Sequence, residues 1–452
     1  LPEPAVAQLS DLERHTMTDV HTFGAVGDGQ TDDTAAIEHA LQDGEGTLDF
    51  ARGDYLISRT IVVDLDKTGF TSFEGHGTAR LVMTGPGPAL RFVGSHVKGT
   101  ADPGSFEPKV WRHQRMPMVD GLEFTGTHAE ADAVQVDGTM QFTITRCLIR
   151  QCRHGIHLVN RNRNVLISDC HIYDNLGIGI FYDNLSLHQS NIVGSHISYC
   201  LGGGIVFRGG DVRNVHIGTC DIESNHDPKG PATANILIDC SGSTNGTAEV
   251  SIAGCTIQHN SKSPDSANIR ILGRGDQGKN AREQWGHVAI TGNVFSDVMC
   301  NVHLAGCRDV TLTGNTFWMG YEHNLLVEDC TAVVLAGNVL GRNPAYAYGN
   351  SGTTKNAMVF RNSRDCTISS MHLQGVHTAE AAMVVEDCDR FNINGCTILD
   401  NDKVGLLLRN VKRSRVSDCL IRDDREGATS VALKLLGGSD NTIENNSLDR
   451  TA

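Results

Sequence analysis

Aromatic side chains make up only 5% of this 452-residue chain, while glycine is abundant at 49 residues. Such a balance suits short strands and tight turns better than a helical or α/β domain. Excess positive charge is missing too. The formal net charge of -15 speaks against general nucleic-acid binding, although Arg146, Arg150, Arg153, Arg161 and Arg163 crowd one region. No run of about 18 apolar residues is present to span a bilayer, so neither nucleic acid nor a membrane is expected as partner. No CxxC occurs among the 14 cysteines, and no compact acidic loop offers the several oxygens that calcium needs. No metal ligands are therefore assigned and no cofactor is expected, calcium being the one candidate, without a clear ligand loop. The chain opens without a basic-plus-apolar leader, so a signal was either removed or never there.

What is present is a repeat. Arg163-Asn164-Val165-Leu166-Ile167-Ser168-Asp169-Cys170-His171-Ile172-Tyr173-Asp174-Asn175, then Gly179-Ile180-Phe181-Tyr182-Asp183, reads x-N-V-x-I-x-x-C-x-I-x-x-N, a turn, and G-I-x-Φ. It returns about every 22 to 26 residues, with longer loops let into it. Apolar residues alternate with period two, so each copy is a set of short strands with one face inside, and Asn, Gly and Asp supply the turns. The expected fold is all-β: a single-domain solenoid of about 12 coils. Residues 1–60 form a leader and cap, and residues 61–450 form the body, with a loop-rich cleft flank in 100–355. Cys147, Cys170, Cys220, Cys255, Cys396 and Cys419 share one repeat position with Asn293, Asn315, Asn338 and Asn446, while Cys240, Cys307, Cys330 and Cys388 follow another strand. Stacking of small residues explains both sets better than disulfides or metal.

The G-I-x-Φ strands align into columns. Gly155-Ile156-His157-Leu158-Val159, Gly179-Ile180-Phe181-Tyr182-Asp183, Gly204-Ile205-Val206-Phe207-Arg208 and Asn235-Ile236-Leu237-Ile238-Asp239 have apolar second and fourth positions, which point inward. The first, third and fifth then point outward: Asn235, Asn268 and Asn301; His157, Arg270 and His303; Asp183, Arg208 and Asp239. Coils lie about 4.8 Å apart, so Asp183 and Asp239 are near 10 Å at their backbones, with Arg208 between them. Leaning side chains reach the roughly 6.5–9.5 Å separation of an inverting glycosidase. Asp183, Asp239, Arg208, Tyr182 and His157 are the catalytic candidates. Asp132, His154, His188, Asn235, His259, Asn268, Arg270, His303 and Trp285 are the substrate-binding candidates. Glu223, His226, Asp227 and Asp265 fall in the same turns. Loops at His226 to Thr233, Gly273 to Trp285 and Gly341 to Lys355 are expected along one flank, where Trp285, Trp318, Tyr321, Tyr346 and Tyr348 offer rings to sugar faces. Residues from Ser363 to Asp449 read as scaffold.

Near the start, Phe23-Gly24-Ala25-Val26-Gly27-Asp28-Gly29-Gln30-Thr31-Asp32-Asp33-Thr34-Ala35-Ala36-Ile37 precedes Gly53-Asp54-Tyr55-Leu56-Ile57. Thr31 or Asp32 can cap a short helix with Ala36, Ile37, Ala40 and Leu41 on one side, a plug for the open solenoid end. Asp28, Asp32 and Asp33 are read as turn and cap residues. This opening resembles the N-terminal signature of the pectate-lyase-like superfamily, which includes rhamnogalacturonase-type and epimerase-type domains, phage tailspikes and inulin fructotransferases. The resemblance implies a right-handed parallel β-helix with a short N-terminal capping helix, a polysaccharide or oligosaccharide substrate, a secreted or periplasmic location, and a homotrimer or other homo-oligomer.

Ala131-Asp132-Ala133-Val134-Gln135-Val136 resembles the aspartate strand N-T-D-G-I-D-I of polygalacturonase-type hydrolases, placing Asp132 at their acid position. The chain departs from that family in having Arg153-His154-Gly155 for G-D-D, Gly177-Ile178-Gly179 for G-H-G, and Arg270-Ile271-Leu272 near R-I-K. The favoured function is inverting glycoside hydrolysis by Asp183 and Asp239. The alternatives are β-elimination on a uronic-acid polymer, with Tyr182, His157 or His259 as base and Arg208 and Arg270 on the carboxylate; fructotransferase-type cyclisation; and a non-catalytic glycan-binding or structural β-helix.

Overall fold

Successive copies of the repeat stack into three parallel faces, so that every side chain meets its counterpart from the coil above and the coil below. The computed structural model describes residues 17–97, 106–259, 263–275, 284–343, 345 and 354–451. Face A pairs Val134, Ile156, Ile180, Ile205, Ile236, Ile269, Val302 and Leu325 in consecutive coils. Face B pairs Ile144, Ile167, Ile192, Ile217, Ile252 and Ile290, and face C pairs Ile149, Ile172, Ile197, Ile222, Ile257 and Phe295. All of these strand pairings are parallel. Period-two alternation places these residues in one continuous core from Val20 to Leu433. Each buried Ile adds roughly 1.5–3 kcal/mol over its exposed state. Among the described residues no helix is long and apolar enough to cross a membrane.

The corners are made by residues in the left-handed region. Asp169 (φ 54°), Gly194 (φ 58°), Thr219 (φ 52°) and Gly254 (φ 65°) turn the chain from face B to face C. Asp, Asn and Gly tolerate that conformation with least strain, which explains their recurrence at this position. Directly after it, the predicted cysteine–asparagine column stands inside the coil. Cys255 N–H donates to Asn293 Oδ1, Asn293 donates to Asn315, and Asn315 donates to Asn338. All 14 cysteines are buried free thiols.

Asn235 and Asn268 do not point outward as the column pattern predicts. Both are fully buried and form an internal ladder in which Asn235 Nδ2 donates to Asn268 Oδ1 (2.8 Å), Asn268 to Asn301 (2.7 Å) and Asn301 to Asn324 (2.8 Å). The amide donates to the next coil while accepting from the previous one, and its second N–H serves corner carbonyls such as Ser296 O (3.0 Å). Asn268→Ala leaves Asn235 without its acceptor and Asn301 without its donor. A loss of about 2–4 kcal/mol is expected, read as a fall in thermal midpoint. Asn392→Ala, on an exposed side chain, is expected to stay within about 0.5 kcal/mol.

The helix Thr34–Asp43 plugs the first coil with Ile37, Ala40 and Leu41. Asp28, Asp32 and Asp33 all serve local backbone. Asp33 accepts from Val26 N (2.6 Å), Asp32 from Thr34 N (3.1 Å), and Asp28 from Thr31 N (2.7 Å). The strand stack begins at Thr18–Asp19, which pairs with Thr47–Asp49, and that strand pairs in turn with Ser72–Met83. Two of the three loops, 226–233 and 341–355, enter at the corner from face C to face A. The third, 273–285, enters at the corner from A to B, because it follows Leu272 and precedes the face B strand Gly286–Thr291. The three loops thus leave the coil at two different corners, on either edge of face A, and not between one pair of strands. Tyr346, Tyr348 and residues 1–16 lie outside the described residues.

Candidate functional site

Face A carries two outward columns. The outer one runs Asp137, Val159, Asp183, Arg208, Asp239, Leu272, Ala305, Glu328, Arg361, Glu386 and Arg409 in direct register. Asp183, Arg208 and Asp239 therefore stand one above the next. Further along the same column the charges satisfy one another: Arg361 pairs with Glu328 (3.3 Å) and Glu386 (3.4 Å), and Arg409 with Glu386 (2.8 Å). Arg208 differs. It is exposed, lies 5.6 Å over the Phe181 ring, and among the described residues forms no ion pair. Its two acidic neighbours are engaged elsewhere. Asp183 Oδ2 accepts from His157 Nε2 (3.0 Å), and Asp239 Oδ1 accepts from Ser241 N (2.9 Å) and Ser241 Oγ (2.5 Å).

The second outward column runs Gln135, His157, Phe181, Val206, Leu237, Arg270 and His303. Gln135 Nε2 donates to His157 Nδ1 (3.4 Å), so the network assigns the His157 proton to Nε2, facing Asp183. His157 stacks on Phe181 (centroids 5.1 Å, 7°), and His154 lies 5.5 Å from His157 and 5.4 Å from Phe181. His154 Nδ1 accepts from Ile178 N (3.0 Å), and burial pushes its pKa down to about 4. Phe181, Val206 and Leu237 join Ile178, Ala234 and Ala267 in a second, outer apolar cluster. The column pattern predicts these outward side chains to be exposed. They are buried against one another and under neighbouring side chains, with His157, His154 and Arg208 lying on the Phe181 ring, while His226 Nε2 donates to Ala267 O (3.1 Å) at the edge of the cluster. Adjacent outward apolar residues at Phe181, Val206 and Leu237 were the signal for this cover.

Several candidates lie elsewhere or are already committed. Tyr182 occupies a fourth, inward position. It is fully buried, stacks on Phe207 (4.1 Å), shares a 2.7 Å hydrogen bond with Ser190, and burial raises its pKa, so it cannot be a solvent-facing base. Asp132 is buried in a bidentate ion pair with Arg153 (2.8 and 2.6 Å) and also accepts from His154 N. It locks a corner and offers no acid to substrate. Arg270 is held by Asp265 (2.8 Å) and His303 Nδ1 (3.1 Å), and His303 Nε2 reaches Glu328 (3.2 Å). His188 sits in register between Arg163 and Arg213, past the corner leading to face B. Trp285 packs against the core beneath Arg213 (5.5 Å) at that same corner, and so presents no free ring. His259 faces Glu223 and Asp297, on the face C side of the opposite corner. What remains together is His154, His157, Asp183, Arg208 and Asp239.

A model described as "Right handed beta helix region" matches residues 114–257 and 356–452, together more than half of the chain. The chain belongs to the right-handed β-helix family. Within this β-helix, residues 17–88 match "Rhamnogalacturonase A/epimerase, pectate lyase-like" and residues 233–381 match "Periplasmic copper-binding protein (NosD)". These matches set it in the pectate-lyase-like superfamily expected from the N-terminal motif. Among solved structures, the β-helix is similar to the Dettilon tailspike protein (gp208), at 15% identity over 82% of this chain and 66% of that one, with a TM-score of 0.51. It is also similar to the Azotobacter vinelandii mannuronan C-5 epimerase AlgE4 A-module, at 13% identity over 96% of both chains (TM-score 0.46). PfbA, a surface adhesin of Streptococcus pneumoniae, matches at 14% identity over 93% and 92% (TM-score 0.43). Comparison with curated protein sequences finds no match.

Proposed function

We propose that this β-helix is a carbohydrate-active enzyme that holds an acidic polysaccharide along the outer column of face A and hydrolyses it with Asp183 and Asp239. One observation carries the reading. Arg208 is an exposed guanidinium between two carboxylates, with no ion pair to either or to any other of the described residues, whereas Glu328, Arg361, Glu386 and Arg409 in the same column pair among themselves. An anionic group on the sugar is the partner such a cation lacks. Asp183 and Asp239, two coils apart, are then about 10 Å at the backbone. Their side chains can flank one glycosidic bond and a water at the roughly 6.5–9.5 Å of an inverting pair. His157, fixed by Gln135 and Phe181, holds Asp183 in position. Work on an extracellular or periplasmic polymer fits this chemistry. The buried thiols do not oppose it, being sealed from oxidants in the core.

The satisfied Glu328 to Arg409 ladder favours a second reading, in which the whole column only stabilises a glycan-binding wall. A panel of acidic and neutral polysaccharides, assayed for reducing ends and for ultraviolet-absorbing unsaturated sugar, separates the cases. Hydrolysis gives reducing ends without new absorbance, elimination gives both, and a binding wall gives neither. Arg208→Met is expected to raise KM for an acidic polymer by about 10-fold or more, the worth of a charged hydrogen bond, and to leave a neutral one unchanged. Equal losses on both would remove the acidic-substrate assignment.

A further inference from the structure

Face C lies across a corner from the Asp183 column and carries a separate group of side chains that the glycan reading does not use. His196 and Asp221 face each other in register on neighbouring strands His196–Ser198 and Asp221–Glu223, and Glu223 follows two residues on, pointing to the same side. One ligand atom from each lies within 4.8 Å of the others. His196 Nε2 is 3.6 Å from Asp221 Oδ2 and 4.0 Å from Glu223 Oε1. We propose that His196, Asp221 and Glu223 bind one divalent transition-metal ion of the Zn²⁺ type.

The distances argue for a ligand site over a salt-bridge network. At 3.6 and 4.0 Å, His196 Nε2 is too far from either carboxylate for a hydrogen bond, so the three ligand atoms lie close together without bonding one another. Ligands held at about 2.0–2.2 Å in a tetrahedron stand about 3.4 Å apart, so closing on an ion from contacts within 4.8 Å takes side-chain movements of about an ångström or less. An imidazole nitrogen with two carboxylate oxygens is a donor set for zinc or its neighbours, whereas calcium takes oxygen throughout.

Outer partners hold the carboxylates in place. Thr256 Oγ1 donates to Asp221 Oδ1 (2.7 Å), and Tyr199 OH donates to Glu223 Oε1 (3.5 Å). On the far side, Gln258 Nε2 donates to Glu223 Oε2 (3.4 Å) and His259 lies 3.8 Å from the same oxygen, with Asp297 behind it (3.4 Å). Such second partners orient ligating groups. Ser198 Oγ, 3.3 Å from His196 Nε2, is a contact the ion would displace. All three ligands stand on paired strands, so the backbone geometry is fixed before any ion arrives. They also precede residues 233–381, so the copper-binding family match does not supply them.

The test is isothermal titration of the tag-free full chain with zinc chloride and with calcium chloride, alongside its thermal midpoint in each. One equivalent of Zn²⁺ is expected to bind and raise the midpoint, with Ca²⁺ doing neither. His196→Ala and Glu223→Gln are each expected to weaken Zn²⁺ by at least about 10-fold while keeping the apo midpoint. His372→Ala, on the same face several coils away, is expected to bind as the parent does. No Zn²⁺ heat and no midpoint rise, equal binding of Ca²⁺, or undiminished Zn²⁺ affinity in the His196→Ala/Glu223→Gln double variant would each overturn the proposal.

Discussion

Asp183→Asn is expected to lower polysaccharide cleavage by about 10²–10⁴-fold, the usual contribution of a positioned acid or base, and to leave folding intact. Asp239→Asn is expected to do the same. Both changes keep the shape and the accepting oxygen. The amide oxygen introduced at position 183 still accepts from His157 Nε2, and the one introduced at position 239 still accepts from the Ser241 donors, so only the ability to carry a proton or a charge is removed. Both side chains lie at the surface, where a neutral isostere changes stability by no more than about 0.5 kcal/mol. If the two act on one bond, the double variant loses little more than the worse single one. Unchanged thermal midpoints alongside lost turnover are the expected pair of results. Turnover unaffected by either substitution would transfer the whole column to a structural or binding role.

Acidification is the second large effect. Burial pushes both His154 and His226 down to about 4 from the ordinary 6.5, with Arg153 and His157 adding to the depression at His154 and Arg270 at His226. The folded protein therefore holds neutral rings where the unfolded chain binds protons. Because the folded pKa is the lower of the two, the associated stability is complete above about pH 6.5. It drains away as pH falls toward 4, by roughly 3 kcal/mol for each histidine. Thermal midpoints measured across this range should fall steeply for the parent and less for a His154→Gln/His226→Gln variant. Identical slopes in the two proteins would show that other groups control the acid limb.

The repeat was legible because a parallel coil imposes one rule on every copy. Apolar residues at alternate positions and Asn, Asp or Gly at corners are local requirements, so the pairing of Ile180 with Ile205 and Ile236, and of Asp183 with Arg208 and Asp239, follows from alignment alone. The cysteine–asparagine column was readable for the same reason, being one repeat position filled by small side chains. Alternation has a limit at the corners, however. Asn235 and Asn268 sit at the first position, where the chain is still turning, and the turn aims them inward into a ladder. Asp132 looks like an acid beside the family motif, yet a corner arginine 21 residues later closes on it.

By itself the sequence determined the coil, its register, the plugged first turn and the file of Asp183, Arg208 and Asp239, because these depend on periodicity and on spacing along one strand. Only the tertiary structure decided which charges are free. Arg208 stands without an ion pair among the described residues, Arg270 and Asp132 are satisfied, and His196, Asp221 and Glu223 gather on another face. Partners of that kind come from different coils and from loops whose path no period dictates, and a side chain's chemistry is set by whichever neighbour reaches it first.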